Sequence, residues 1–194
     1  MSQEHILASA LESLRAGKIV CIPTESSYGL AVDAGNVSAI ETLVCLKARA
    51  TQSAIGLIAG SVSQARSFSG AWPRRAEELA SEFWPGPLTL VLPPPCSISE
   101  HLLGPSDRVA IRVSSLKLIR DLALQLGRPI TATSANPKAQ TPASSCEQAK
   151  EYFGEAVSYY LEGGMCTGDP STLVDFDAAG TPIVLRQGPV CIVP

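Results

Sequence analysis

The chain has 194 residues, near the usual size of one domain. It is 45% hydrophobic and only 17% charged, below the roughly 25% charge of an average soluble domain, so it can bury a sizeable core. That balance excludes a largely disordered chain, and no apolar run approaches the ~18 residues of a membrane span. A net charge of −3 offers no global attraction to nucleic acid or an anionic membrane, so any anion site must be built locally. Glu4 and His5 stand where a secretory leader would be basic and then apolar, and a cytoplasmic location is expected.

Ile6, Leu7, Ala10, Leu11 and Leu14 recur at helical spacing and predict a helix stopped by Gly17. A strand from Lys18 to Ile22 ends at Pro23, and a polar turn leads to a second apolar stretch, Leu30 to Ala34. Asn36 is placed to cap a helix that ends near Lys47. Ile55 to Ala59 reads as a strand, Ser61 to Phe68 and Arg74 to Phe83 as helices, and Leu88 to Leu92 as a strand after the rigid Trp84-Pro85-Gly86-Pro87 turn. A proline-rich loop with a helical turn at Ile98 to Leu103 precedes the strand Val109 to Val113. Leu116 to Leu126 is a helix closed by Gly127, followed by the strand Pro129 to Ala132, the loop Thr133 to Ser144 and the helix Ser145 to Phe153. Val157 to Leu161, Thr172 to Phe176 and Ile183 to Arg186 read as strands, the last two as antiparallel neighbours. The pattern predicts an α/β fold, residues 1–194 forming a single domain with a mixed parallel/antiparallel sheet flanked by helices.

The cysteines at 21, 45, 96, 146, 166 and 191 show no paired spacing for zinc or redox chemistry, and Cys21 and Cys45, in apolar runs, read as small buried hydrophobes. Neither His5 nor His101 adjoins a serine or cysteine nucleophile, which argues against a Ser-His or Cys-His enzyme.

Chemistry concentrates in a few segments. Pro23-Thr24-Glu25-Ser26-Ser27-Tyr28-Gly29 places hydroxyls and a carboxylate where a buried strand ends; it suits a small polar ligand, or is simply a hydrophilic turn satisfying its own backbone. Lys47-Ala48-Arg49 brings two cations together if the helix ends at Lys47, a pair suited to polyphosphate or merely to the helix C-terminus. Thr131-Ala132-Thr133-Ser134-Ala135-Asn136-Pro137 offers hydroxyls and an amide for phosphate, although neither a G-x-x-x-x-G-K-[ST] nor a G-x-G-x-x-G motif occurs. Arg112, in the apolar strand Val109-Ala110-Ile111-Arg112-Val113, needs an anionic partner, either a ligand or a structural carboxylate.

The ordered set P-T-E-S-S-Y-G-L, K-A-R, W-P-G-P-L-T, V-A-I-R-V, T-S-A-N, S-T-L-V-D and L-R-Q-G resembles the YrdC-type threonylcarbamoyl-adenylate synthases. The resemblance runs from about Lys18 to Gly188. It implies a YrdC-like twisted mixed sheet and a nucleotidyltransferase that converts L-threonine, bicarbonate or CO2, and ATP with Mg2+ into threonylcarbamoyl-AMP and pyrophosphate. The product would feed tRNA threonylcarbamoyladenosine synthesis through downstream transfer proteins. By motif position, Lys47 and Arg49 are implied as catalytic and, with Ser53, Ser134, Asn136 and Arg186, as ATP-binding. Ser26, Arg112, Ala132 and Ser171 are implied as threonine-binding, and no protein-held metal ligand is implied. Ile58 falls where some longer relatives carry a substrate histidine, Pro137-Lys138-Ala139 departs from the usual Ser-Gly-containing loop, and the extra C-terminal domain of longer members is not expected. The alternatives are an RNA-binding or ribosome-maturation module and a catalytically idle nucleotide-binding relative. The acidic balance and the lack of a basic run with interleaved aromatics weigh against the first, leaving room only for weak tRNA contact.

Overall fold

The computed structural model describes residues 3–47, 54–95 and 97–192. Its strands are β1 (Val20–Pro23), β2 (Tyr28–Ala31), β3 (Gly56–Ala59), β4 (Leu88–Leu92), β5 (Val109–Val113), β6 (Ile130–Ser134), β7 (Tyr159–Tyr160), β8 (Thr172–Phe176) and β9 (Pro182–Arg186). They form one nine-stranded sheet in the order β7-β1-β2-β6-β3-β5-β4-β8-β9. The β1–β7, β3–β5 and β4–β8 pairs are parallel and the remainder antiparallel, which is the expected mixed α/β sheet.

Helices α1 (Gln3–Arg15), α2 (Val37–Lys47), α3 (Val62–Ser67), α4 (Arg74–Phe83), α5 (Lys117–Leu126) and α6 (Cys146–Phe153) flank it. Several starts follow from side chains that accept otherwise orphaned backbone N–H groups. Asn36 Oδ1 accepts from the Ala39 N–H at 3.1 Å, Ser61 Oγ from Gln64 at 3.1 Å and Ser145 Oγ from Gln148 at 3.2 Å. Helix α5 ends on Gly127 at φ 82°, the left-handed conformation glycine adopts without strain.

Strand side chains alternate between faces. One set, including Leu30, Leu57, Leu90, Ile111 and Val174, packs in a core with Ile40, Leu43, Leu79 and Ala149 of the helices. The opposite set, including Val20, Ile22, Ala31, Ile58 and Ile130, packs with Leu7, Leu11 and Leu14 of α1 and Ile119 and Leu122 of α5. Beyond the reach of α1 and α5, this second face displays Gly29, Gly56, Ala110 and Ala132, whose small size leaves a trough on the sheet.

Several boundaries differ from the sequence expectation. Lys18 and Ile19 precede β1, which runs on to Pro23 because Pro23 pairs with Tyr28. Strand β2 therefore starts at Tyr28, inside the expected polar turn, and stops before Val32. There the Val32 N–H donates to the Thr131 hydroxyl at 2.9 Å rather than to a backbone carbonyl, which interrupts the ladder. Thr133 and Ser134 belong to β6, not to a loop, because they pair with Leu30 and Gly29. Only Tyr159 and Tyr160 of the expected strand Val157 to Leu161 pair with β1. Cys21 is buried, but Cys45 lies on the outer side of α2 and is exposed, contrary to its apolar sequence context. Ile58 is fully buried against the α1 and α5 side and does not line the trough.

Candidate active site

The trough forms a cavity of about 470 Å3. Strand alternation explains its lining. Ala110 and Arg112 stand on the opposite face of β5 from the buried Val109, Ile111 and Val113, and Ala132 and Ser134 on the opposite face of β6 from Thr131 and Thr133. Leu173 of β8 pairs with Arg186 of β9, so the Arg186 side chain joins the same face. Ser26, Arg112, Ala132, Ser134, Ser171 and Arg186, separated widely in sequence, all line this one cavity.

At one edge, the end of α2 meets the segment after β6. The Lys47 ammonium donates to the Ser134 carbonyl at 2.7 Å, to Asn136 Oδ1 at 3.0 Å and to the Asn136 carbonyl. Ser134 Oγ donates to Asn136 Oδ1 at 2.6 Å, and Asn136 Nδ2 donates to the Gln140 carbonyl at 2.6 Å. Lys47 of the K-x-R motif and the S-x-N motif are thus one structural unit. Arg49 and Ser53 lie outside the described residues.

Arg186 crosses the opposite end. Its Nε and Nη2 donate to the Ser171 carbonyl at 3.1 and 2.9 Å, and Nη2 also reaches Ser171 Oγ at 3.3 Å. Ser171 Oγ in turn shares a 2.7 Å hydrogen bond with the buried Thr89 Oγ1. Burial, and then the nearby Arg112 charge, lower the Arg186 pKa below its ordinary value. Arg186 has no ion-pair partner among the described residues, so it brings a positive charge matched only by neutral oxygens.

Arg112 does have a structural carboxylate partner: its Nη1 donates to Glu25 Oε2 at 2.7 Å. The sequence left ligand and carboxylate open as partners for this arginine, and the structure supplies the carboxylate. Glu25 Oε1 accepts from Ser114 Oγ, the Ser115 N–H and Ser115 Oγ at 2.8, 2.8 and 3.0 Å. Burial pushes the Glu25 pKa up, but the Arg112 charge and these hydrogen bonds outweigh it and hold the carboxyl below its ordinary value. The turn carrying Glu25 is set by Thr24, whose Oγ1 donates to the Ser27 carbonyl at 2.7 Å. Sequence reasoning missed the roles of Glu25, Thr89 and Ser114, whose partners lie more than 80 positions away and leave no local signal.

A second concavity of about 530 Å3 lies between the start of α4 and the β8–β9 turn. Its arginines are already engaged, Arg74 and Arg75 with Glu78 and Arg108 with Asp175, and it contains none of the motif residues.

Residues 12–188 match the Sua5/YciO/YrdC family, described as Telomere recombination. A threonylcarbamoyl-AMP synthase of Vibrio vulnificus is 34% identical over 184 residues, covering 94% of this chain and 98% of the relative. A putative threonylcarbamoyl-AMP synthase of Mycobacterium tuberculosis is also 34% identical, covering 95% of this chain and 84% of the relative. Among solved structures, P. abyssi Sua5 complexed with L-threonine superposes with a TM-score of 0.88 at 32% identity. That match covers 97% of this chain, which spans 55% of the Sua5 chain. E. coli YciO gives a TM-score of 0.83 at 26% identity, covering 97% of this chain and 91% of that one. A match over nearly the whole length, on a sheet whose motif residues converge on one cavity, makes this chain a member of the Sua5/YciO/YrdC family.

Proposed function

We propose that the protein is an L-threonylcarbamoyladenylate synthase, a nucleotidyltransferase that joins L-threonine, bicarbonate or CO2, and ATP into threonylcarbamoyl-AMP and pyrophosphate. The observation that carries this reading is the single cavity lined by both Arg112 and Arg186, with the Lys47–Ser134–Asn136 unit at its edge. Two anionic substrates brought side by side require two separated cationic groups, and curated relatives of nearly equal length are named for this product.

In this reading the Arg112 donors not engaged by Glu25 receive the threonine carboxylate, with Ser26, Ala132 and Ser171 around the rest of the amino acid. Lys47, Arg49, Ser53, Ser134, Asn136 and Arg186 receive the nucleotide. The threonine amine takes up CO2 as a carbamate and releases a proton. A carbamate oxygen then forms a bond to the α-phosphorus as the bond from that phosphorus to the pyrophosphate oxygen breaks. Positioning and preorganised positive charge carry such a displacement, which needs no covalent nucleophile.

Mg2+ enters with ATP as part of the substrate. Phosphate oxygens and water would hold the ion, in keeping with its reluctance to dehydrate. A cytoplasmic site of action agrees with tRNA modification, and no helix among the described residues is long and apolar enough to cross a membrane. The mixed anhydride product would pass to proteins that transfer the threonylcarbamoyl group to tRNA.

Pyrophosphate release tests the reading directly. It should require threonine, bicarbonate and ATP together; release that ignores either threonine or bicarbonate would overturn it.

A further inference from the structure

We propose that Glu25 is the positioning residue of the amino-acid subsite, fixing the Arg112 guanidinium so that its remaining donors face the cavity. The inference rests on the synthase reading and deepens it, since neither motif position nor relatedness gives Glu25 a role in the site.

Glu25 belongs to the turn between β1 and β2, yet its carboxylate does not serve that turn. Thr24 satisfies the turn backbone through the Ser27 carbonyl and the Ser26 and Ser27 N–H groups. The Glu25 side chain instead crosses to the end of β5 and the start of α5. One oxygen takes Arg112 Nη1, and the other takes Ser114 Oγ, the Ser115 N–H and Ser115 Oγ. The pair is shielded, with side-chain exposures of 16% for Glu25 and 11% for Arg112, and Ser114 is fully buried. A carboxylate that accepts from Arg112 on one oxygen and from three further donors on the other is a weakened base, and its fixed geometry suits it to hold.

Two consequences follow from that hold. A guanidinium anchored at one Nη by a charge-assisted hydrogen bond loses rotation about its long side chain, so its free edge is aimed before the ligand arrives. The pair also neutralises Arg112 beside Arg186, whose positive charge faces the same cavity. Without Glu25 the two guanidiniums would repel each other, and Arg112 would swing toward water.

Glu25→Gln is the informative change because it is nearly isosteric. Its amide oxygen can still serve Ser114 and Ser115, but its NH2 then faces Arg112 Nη1, donor against donor. The KM for threonine should rise about ten- to hundredfold, the range seen when a supporting partner of a ligand-binding group is lost, while the KM for ATP stays near wild type. A double-mutant cycle with Arg112→Lys adds a readout that a purely structural role would not move. If Glu25 acts through Arg112, adding Glu25→Gln to Arg112→Lys should raise the threonine KM by far less than it does in wild type. Should Glu25→Gln fail to fold, Ser115→Ala, which removes one hydroxyl and leaves the Ser115 N–H, should show the same selective rise in smaller measure. Wild-type activity that depends on threonine, with an unchanged threonine KM in these variants or fully additive effects in the cycle, overturns the role of Glu25 alone. Wild-type pyrophosphate release that ignores threonine overturns the synthase reading and this inference with it.

Discussion

The Lys47 ammonium donates to Asn136 Oδ1 at 3.0 Å and to the Ser134 carbonyl at 2.7 Å, tying the last residue of α2 to the end of β6 and the residues after it across 87 and 89 positions of sequence. An ammonium donates in three directions, and here it also meets the Asn136 carbonyl of the same short segment. Lys47 therefore shapes the segment as well as charging it. The Ser134 and Asn136 oxygens that it meets are neutral, so they bring no negative charge of their own to the cavity edge.

Lys47→Ala should reduce threonine- and bicarbonate-dependent pyrophosphate release by about 10²–10³-fold, the usual loss when one preorganised donor facing developing charge is removed. Lys47 is only partly buried, so the variant should remain folded by circular dichroism. Turnover near wild type in a folded Lys47→Ala would reduce the residue to a cap of α2.

The two halves of this unit differ in how readily the sequence shows them. The end of α2 at Lys47 and the return of an apolar strand before Ser134 follow from local periodicity, and with them most strands and helices, the Asn36 cap and the Gly127 stop. Ala110 and Arg112 facing away from the core also follow from alternation along β5. What periodicity cannot supply is pairing order. Nothing between Glu25 and Arg112 indicates that a hairpin turn and a strand 87 residues later share an ion pair. The early start of β2 has the same origin, because Tyr28 is drawn into the ladder by Pro23 across the turn although its neighbours read as polar loop. The motif order named six residues that line the cavity, Ser26, Arg112, Ala132, Ser134, Ser171 and Arg186, but gave no role to Glu25 or Thr89, which lie within its motifs and whose work lies in holding other side chains.

Tyr28 gives a second test of long-range support. Its side chain is fully buried, and its hydroxyl accepts from the Gly163 N–H at 3.0 Å while facing the Gly164 carbonyl at 3.0 Å and Glu162 Oε1 at 3.3 Å. The segment 162–168 has no regular secondary structure, and this hydroxyl ties it to the sheet beside the Cys166 and Gly168 N–H groups, which donate to the Ser144 and Glu25 carbonyls at 2.8 and 3.1 Å. Tyr28→Phe keeps the ring and should cost about 1–2 kcal/mol in a denaturant titration, the range for a hydrogen bond with a shielded partner left behind. Limited proteolysis should then cut near Met165, which is 67% exposed, faster than in wild type; equal rates would show the segment is held by its other contacts.

The Glu25 carboxyl also predicts a pH dependence of stability. Its folded pKa lies below the ordinary value of 4.5, so its contribution is fully present above about that pH and is lost as pH falls through the lower folded value. Other depressed carboxyls, such as Asp177, remain in both proteins when wild type is compared with Glu25→Gln. The Tm gap between the two should therefore narrow as pH drops below 4.5, and thermal melts across that window check it. A constant gap would mean the carboxylate charge adds nothing beyond its shape.

The choice between a nucleotide enzyme and an RNA-binding module rests on where positive charge sits in an acidic chain. With a net charge of −3, the cations among the described residues that face a common cavity are Arg112, already paired with Glu25, and Arg186, with Lys47 at the edge. That is too few and too recessed for a polyanion track but sufficient for a triphosphate and a carboxylate. ATP with Mg2+ should raise the Tm in the absence of RNA, by the mass action of any ligand that binds the folded state, and threonine should raise it further if both occupy the one cavity. In parallel, tRNA binding measured at two salt concentrations should be weak and should fall steeply with salt, as counterion release dictates. Tight, salt-resistant tRNA binding with no stabilisation by ATP or threonine would reverse the assignment, because the cavity would then be incidental to a surface whose affinity does not come from phosphate charge.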